Sequence, residues 1–162
     1  MSIVMARLDN RLLHGIVATQ WAPRSGATRV MVIDDHVADD SVLKEAMKMG
    51  KPAGVSLSII NRKTAYNNFK IGKYNGQKVF IICGNPQIIL DLIQAGEKIE
   101  KLILGGTQIP ESKEGFIKVS KRAYVKKTEE GIFSKIASYG TNIVVQFIPS
   151  EQPVPLSKFI KL

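Results

Sequence analysis

Ile3-Val4-Met5-Ala6-Arg7-Leu8-Asp9-Asn10-Arg11-Leu12-Leu13-His14-Gly15 runs from an apolar stretch through a polar segment to a histidine against a glycine. The apolar run Ile3–Leu8 reads as a buried strand, and Ile16 to about Arg24 reads as a helix. A plain strand-to-helix connection needs only a turn, yet this one carries an aspartate, an asparagine, an arginine and a histidine, with a second arginine, Arg7, just before it. A helix N-terminus offers unpaired N–H groups and the positive end of the helix dipole, which suits a phosphoryl group. His14 stands there as a nucleophile, because an imidazole is substantially neutral near cellular pH. Arg11 presents planar donors that match phosphate oxygens. Asp9 has two readings. It orients the imidazole by accepting a proton from one ring nitrogen, or it pairs with Arg11 beside an ordinary surface histidine.

Outward from this stretch, short apolar runs alternate with helical patterns. The runs are Arg29–Ile33, Val55–Ile60, Val79–Cys83, Lys101–Leu104, Ala123–Val125 and Asn142–Ile148. The helical patterns are Asp40–Met49, Arg62–Phe69, Gln87–Ala95 and Glu129–Tyr139. Asp39 or Asp40, Asn61 and Thr128 suit helix starts, as does Asn85-Pro86, while Gly50, Gly96 and Gly140 suit stops. The pattern predicts a single-domain α/β fold: an open, mostly parallel sheet of about six to seven strands with helices on both faces. Ligands in such folds bind beyond the carboxyl ends of the strands. The polar segments Asp9–Gly15, Asp34–His36, Gly84–Pro86 and Gly105–Thr107 all follow strands, so they are expected along one edge. Thr107–Ser120 reads as a long loop, either a flap or a plain surface connection. Leu156–Leu162 is expected to form a short docking helix.

Composition narrows the function. With 162 residues, 44% apolar and 23% charged, the chain is an ordinary globular domain. It has no apolar run near 18 residues and no secretory pattern at its start, so a cytoplasmic location is expected. The net charge is +9 and the sequence pI about 9.7, which fits an acidic or phosphorylated partner, an anionic membrane face or nucleic acid. The lysines are scattered without interleaved aromatics, so nucleic acid ranks last. Two histidines and one cysteine do not make a zinc site. Asp34 and Asp35 are read as hydrogen-bonding groups in preference to a magnesium site, and His36 as an exposed turn. Cys83 has no arginine following it, so it reads as a core residue rather than a phosphate-accepting thiolate. No nucleotide-binding glycine motif is present. Trp21 reads as packing.

The motif Arg7-Leu8-Asp9-Asn10-Arg11-Leu12-Leu13-His14-Gly15 resembles the R-[IL]-D-[DN]-R-[LI]-[IVL]-H-G signature of the IIB components of the bacterial sugar phosphotransferase system, mannose/fructose/sorbose family. Trp21, Val32-Ile33-Asp34-Asp35, Cys83-Gly84-Asn85-Pro86, Gly105-Gly106-Thr107 and Lys121-Arg122-Ala123-Tyr124-Val125 continue the resemblance along the whole chain. Ile16 stands where the family usually has glutamine, and Thr107 where it has methionine. Asn10 stands at a frequent aspartate and leans the reading toward the N-acetylgalactosamine branch.

The resemblance implies a phosphotransferase. His14 would accept phosphate, at Nδ1 by family precedent, from a phosphorylated IIA protein and pass it to a sugar held by membrane IIC and IID components. Arg11 and Asp9 would assist catalysis. Arg7, Asn10, Gly15, Gly106 and Thr107 would cradle the phosphate. No metal, cofactor or nucleic acid is implied. The chain would sit peripherally on the membrane complex, with homo-oligomerisation left open. The rival reading is a non-catalytic regulatory module that binds an anion or nucleic acid on the same scaffold.

Overall fold

The central strand, β1 (Ile3–Asp9), is paired in parallel on both sides. The computed structural model describes residues 2–162. After β1 the chain makes a π-helical turn, Val17–Trp21, that runs into α1 (Ala22–Ser25). Then follow β2 (Arg29–Ile33), α2 (Asp35–Asp39), α3 (Ser41–Lys48), β3 (Ser56–Ile60) and α4 (Arg62–Lys70). β4 (Val79–Cys83), α5 (Pro86–Gln94) and β5 (Lys101–Gly106) come next. The chain closes with β6 (Phe116–Lys118), β7 (Tyr124–Lys126), α6 (Glu130–Ser138), β8 (Asn142–Val145) and β9 (Val154–Pro155).

Seven strands form one sheet in the order β3-β2-β4-β1-β5-β8-β9, all parallel except the β8–β9 pair. Both faces are covered, which is why the strands are apolar on alternate and intervening residues alike. The period of two sorts them. Ala6, Leu8, Met31, Ile33, Ile81, Leu102 and Leu104 enter one core layer with α5 and α6. Val30, Val32, Phe80, Ile82, Ile103 and Val144 enter the other with Leu12, Leu13, Val17 and Trp21.

The chain leaves β1 toward β2 on one side and leaves β5 toward β8 on the other. The crevice between the carboxyl ends of β1 and β5 is therefore the switch point of the sheet, where open α/β folds bind ligands.

Several expectations hold locally. Asn61 Oδ1 accepts from Thr64 N–H at 2.8 Å and Asn85 Oδ1 from Gln87 N–H at 2.9 Å, starting α4 and α5 as read. Asp40 caps α3 through Val42 and Leu43. Three expectations are corrected. Asp34–His36 is not a plain turn: Asp34 caps the extra helix α2, accepting from Val37 N–H at 2.8 Å. The segment from Thr107 carries β6, which pairs antiparallel with β7 in a separate hairpin, so Ala123–Val125 contributes no strand to the main sheet. The tail forms β9 and a 3₁₀ turn, Leu156–Lys158, where a helix was expected. Burial of Leu156 and Ile160 in the core fixes it. Among the described residues, no helix is long and apolar enough to cross a membrane.

Leu156 is fully buried, so Leu156→Ala should lower stability by about 2–5 kcal/mol. A urea midpoint shift at unchanged slope checks it, and a near-zero effect would show that the tail is not part of the core.

Candidate functional site

The segment after β1 turns back through Asp9. The Asp9 carbonyl accepts from Leu12 N–H at 3.1 Å, and its Oδ1 accepts from Arg11 N–H at 3.0 Å, an Asx-type turn. Asn10 N–H donates to the Gly106 carbonyl at 3.1 Å, tying the segment to β5. Leu12 lies at φ 58°, the one non-glycine residue with positive φ among those described. That conformation costs a leucine roughly 1–2 kcal/mol. Burial of Leu12 and Leu13 in the core layer with Trp21 offsets it. The loop is thus pinned from below by two leucines while Asn10 and Arg11 face solvent.

His14 follows, with 9% of its side chain exposed. Its Nε2 lies 3.0 Å from Asp9 Oδ2. A carboxylate only accepts, so in the neutral ring Nε2 carries the hydrogen and Nδ1 keeps the lone pair. Of the two readings of Asp9, the geometry gives the one in which it orients the imidazole. Arg11 contributes only its backbone N–H to Asp9. The Arg11 guanidinium joins none of the ion pairs among the described residues.

Arg7 is placed differently from the sequence expectation. It was read as a second phosphate partner, but it is 0% exposed. Its Nε donates to Asp9 Oδ2 at 3.1 Å, Nη1 to the Gln146 carbonyl at 3.1 Å and Nη2 to the Phe147 carbonyl at 3.0 Å. The guanidinium lies 5.0 Å from the Trp21 ring centroid, and Trp21 Nε1 donates to the same Phe147 carbonyl at 2.9 Å. A Cβ at Gly105 would overlap Cζ and Nη2 of Arg7. Gly105 is a glycine because the guanidinium lies across the backbone there.

The electrostatics follow. Burial by itself would raise the Asp9 pKa, but hydrogen bonds from His14 and from the Arg11 N–H, with the charge of Arg7, outweigh it and hold the carboxyl below its ordinary value.

The remaining expected residues divide. Gly106 is buried in β5, and its carbonyl serves Asn10. Thr107 anchors the hairpin: its N–H donates to the Arg122 carbonyl at 2.9 Å, and its Oγ1 accepts from Tyr124 N–H at 2.8 Å. These hydrogen bonds therefore go to the hairpin. Gly15 is exposed, with its carbonyl taken by Thr19 Oγ1 at 2.7 Å, and a Cβ there meets nothing within 4 Å. Cys83 is fully buried, and burial pushes its thiol up to about 12, consistent with a core residue. Asp35 pairs with Arg62 at 3.1 Å, and His36 is exposed. The sequence reading missed the carbonyls of Gln146 and Phe147 altogether, because a backbone acceptor leaves no mark in residue type.

Fold and site together define a class: an open α/β domain whose switch-point loop presents one oriented histidine and an exposed arginine that joins no ion pair among the described residues. Residues 3–162 match the family model "PTS system sorbose subfamily IIB component", and the chain belongs to that family, the IIB components of the sugar phosphotransferase system. It is 30% identical over 151 residues to the sorbose-specific EIIB component of Lacticaseibacillus casei, covering 93% of this chain and 90% of that one. It is 28% identical to the mannose-specific EIIAB component of Escherichia coli K12, where it spans 99% of its own length and 49% of the longer protein. The crystal structure of the IIBSor domain of the sorbose permease from Klebsiella pneumoniae has the same fold, with a TM-score of 0.88 at 24% identity over 98% of this chain and 95% of that one.

Two outcomes test the buried pair. Asp9→Asn leaves the Arg7 charge uncompensated and should cost about 3–5 kcal/mol, whereas Gly105→Ala, by displacing the guanidinium, should cost about 1–3 kcal/mol. Because the Asp9 pKa is lowered on folding, its contribution is complete at neutral pH and is lost as pH falls below the ordinary aspartate value of about 4 and through the lowered native one. Denaturation midpoints from neutral to strongly acid pH should show this loss in wild type and a flatter profile in Asp9→Asn.

Proposed function

We propose that the chain is a phosphocarrier that accepts a phosphoryl group on His14 Nδ1 from a phosphorylated IIA protein and delivers it to a sugar. One observation carries this reading. Asp9, held by Arg7, lies 3.0 Å from His14 Nε2, which in the neutral ring leaves the Nδ1 lone pair as the nucleophile, on the loop that also exposes Arg11.

In the first step the Nδ1 lone pair attacks phosphorus on the donor's phosphohistidine. The new N–P bond forms as the donor's N–P bond breaks, and the donor nitrogen recovers its electron pair. In the second step a sugar hydroxyl attacks the phosphorus on His14, the N–P bond breaks, Nδ1 regains its lone pair and the hydroxyl proton leaves to solvent or a nearby base. Such transfers rest on position and charge stabilisation. Arg11 neutralises charge on the equatorial oxygens, with Asn10 and Gly15 at the edge of the same loop. Asp9 stabilises the positive character that the imidazole gains on phosphorylation. Arg7 acts through Asp9 and is a positioning residue.

The sugar is held by membrane IIC and IID components, and the chain works at the cytoplasmic face of that complex. The family name supports a phosphotransferase role in sugar uptake. Asn10 carries the amino-sugar preference into this proposal. Giving the loaded carrier N-acetylgalactosamine, mannose, fructose and sorbose in parallel tests it.

The deciding measurement is phosphate transfer from a phosphorylated IIA protein. Wild type should gain one acid-labile, base-stable phosphate, His14→Gln none, and Arg11→Gln should slow transfer by about 100-fold, with Arg11→Lys slowed less. Phosphate retained on His14→Gln would overturn the assignment of His14. An unphosphorylated wild type would favour the non-catalytic anion-binding reading.

A further inference from the structure

On the other side of the β1 loop from Arg7 lies a cleft of about 610 Å³. Asn10 is shared between its wall and the His14 loop, Gly106 at the end of β5 lies beside it, and the hairpin β6–β7 and the start of α6 close its far side. Its volume is in the range of ligand and peptide sites. The floor is apolar: Leu8, Ile88, Leu104 and Phe133, all buried in one core layer. Ile109, 52% exposed, extends that apolar surface to the mouth.

The charge of the rim runs against the rest of the chain. The protein as a whole is +9. The cleft is lined by four carboxylates, Asp34, Asp35, Glu111 and Glu129, against two permanent cations, Arg62 and Lys126. Asp35 is neutralised by Arg62, and Asp34 is engaged in capping α2. Among the described residues Glu111 joins no ion pair, whereas Glu129 is half-buried, accepts from the Lys126 N–H and faces the Lys126 charge. A phosphate, a nucleotide or a sugar phosphate would meet net negative charge here, so the phosphoryl group belongs to the His14 side and this cleft takes something else. A neutral sugar gains nothing from the unpaired Glu111 carboxylate beyond hydrogen bonds. A cationic side chain on an apolar segment satisfies both the rim and the floor.

We infer that this cleft docks an apolar segment bearing lysine or arginine, supplied by a cytoplasmic loop of the membrane component that receives the phosphoryl group. This rests on the carrier reading above. Short cytoplasmic loops of membrane proteins carry an excess of lysine and arginine, which is the charge that the rim lacks. Because Asn10 belongs to the loop that carries His14 and also lines the cleft, a segment seated in the cleft lies next to that loop. The acceptor component is thereby brought to the edge at which phosphate leaves.

The test titrates the full chain, followed by backbone amide NMR, with three probes: a synthetic peptide alternating leucine and arginine, the same peptide with glutamate for arginine, and mannose. The arginine peptide should shift the amides of Glu111, Phe116 and Glu129, and added salt should weaken it. Glu111 is exposed, so Glu111→Lys leaves folding intact and should weaken the peptide by about tenfold, with Glu129→Gln weakening it less. In membrane vesicles holding the IIC and IID components, sugar phosphorylation should fall in Glu111→Lys while phosphate uptake by His14 from phospho-IIA stays within about twofold of wild type.

If the arginine peptide leaves the cleft unshifted, or the glutamate peptide or mannose shifts it equally, the docking inference fails while normal phosphate uptake leaves the carrier reading standing. Peptide binding unchanged in both variants overturns it as well. A folded wild type that takes no phosphate overturns the carrier reading, and with it the membrane loop as occupant.

Discussion

A charge sealed inside an apolar layer governs this molecule. An unpaired buried arginine would cost several kcal/mol, so the Arg7 guanidinium must find every partner within the fold. It finds them in separate parts of the chain: Asp9 at the end of its own strand, and the carbonyls of Gln146 and Phe147 beyond β8. Trp21 covers it from the π-helical turn, and Gly105 on β5 leaves room for it. One side chain therefore ties the central strand to three other segments. Asp9, fixed by that tie, in turn fixes the imidazole of His14. The orientation of the proposed nucleophile is a consequence of packing the core.

The switch point then divides the chemistry. On one side of the β1 loop, Asp9 orients the histidine, and the same loop exposes Arg11. On the other, apolar floor and acidic rim form a cleft against the hairpin β6–β7. The two share Asn10, yet they suit opposite charges. On the proposed function, a carrier that meets a phosphorylated donor and a membrane acceptor in turn would gain from having two such surfaces on one edge, because each would attract its partner and disfavour the other's ligand.

Much of the fold was legible in residue order. Helix starts at Asn61 and Asn85 were readable because a side-chain cap is a local interaction, settled within three residues. The strands were readable because a parallel sheet covered on both faces demands unbroken apolar runs. The hairpin, the extra helix α2 and the tail were not. The pairing of β6 with β7 and the seating of Leu156 depend on distant surfaces that local propensity does not encode. In the site, the orientation of His14 by Asp9 was legible from residue types and spacing. The parts assigned to Arg7, Gly106 and Thr107 were not, since a basic or glycine-rich residue near a phosphate loop looks the same whether it faces the ligand or braces the scaffold.

By itself the sequence determined the alternation of strands and helices, the strand-end position of the histidine loop and the family to which the chain belongs. Each of these is written in periodicity or in contiguous residues. Only the tertiary structure decided that Arg7 points inward, that Gly105 makes space for it, that two backbone carbonyls beyond β8 complete its coordination, and that an acidic cleft opens beside a basic loop. These are long-range juxtapositions. They arise from which strands lie next to each other in the sheet and which side of β1 each residue faces, and no stretch of sequence carries that information alone.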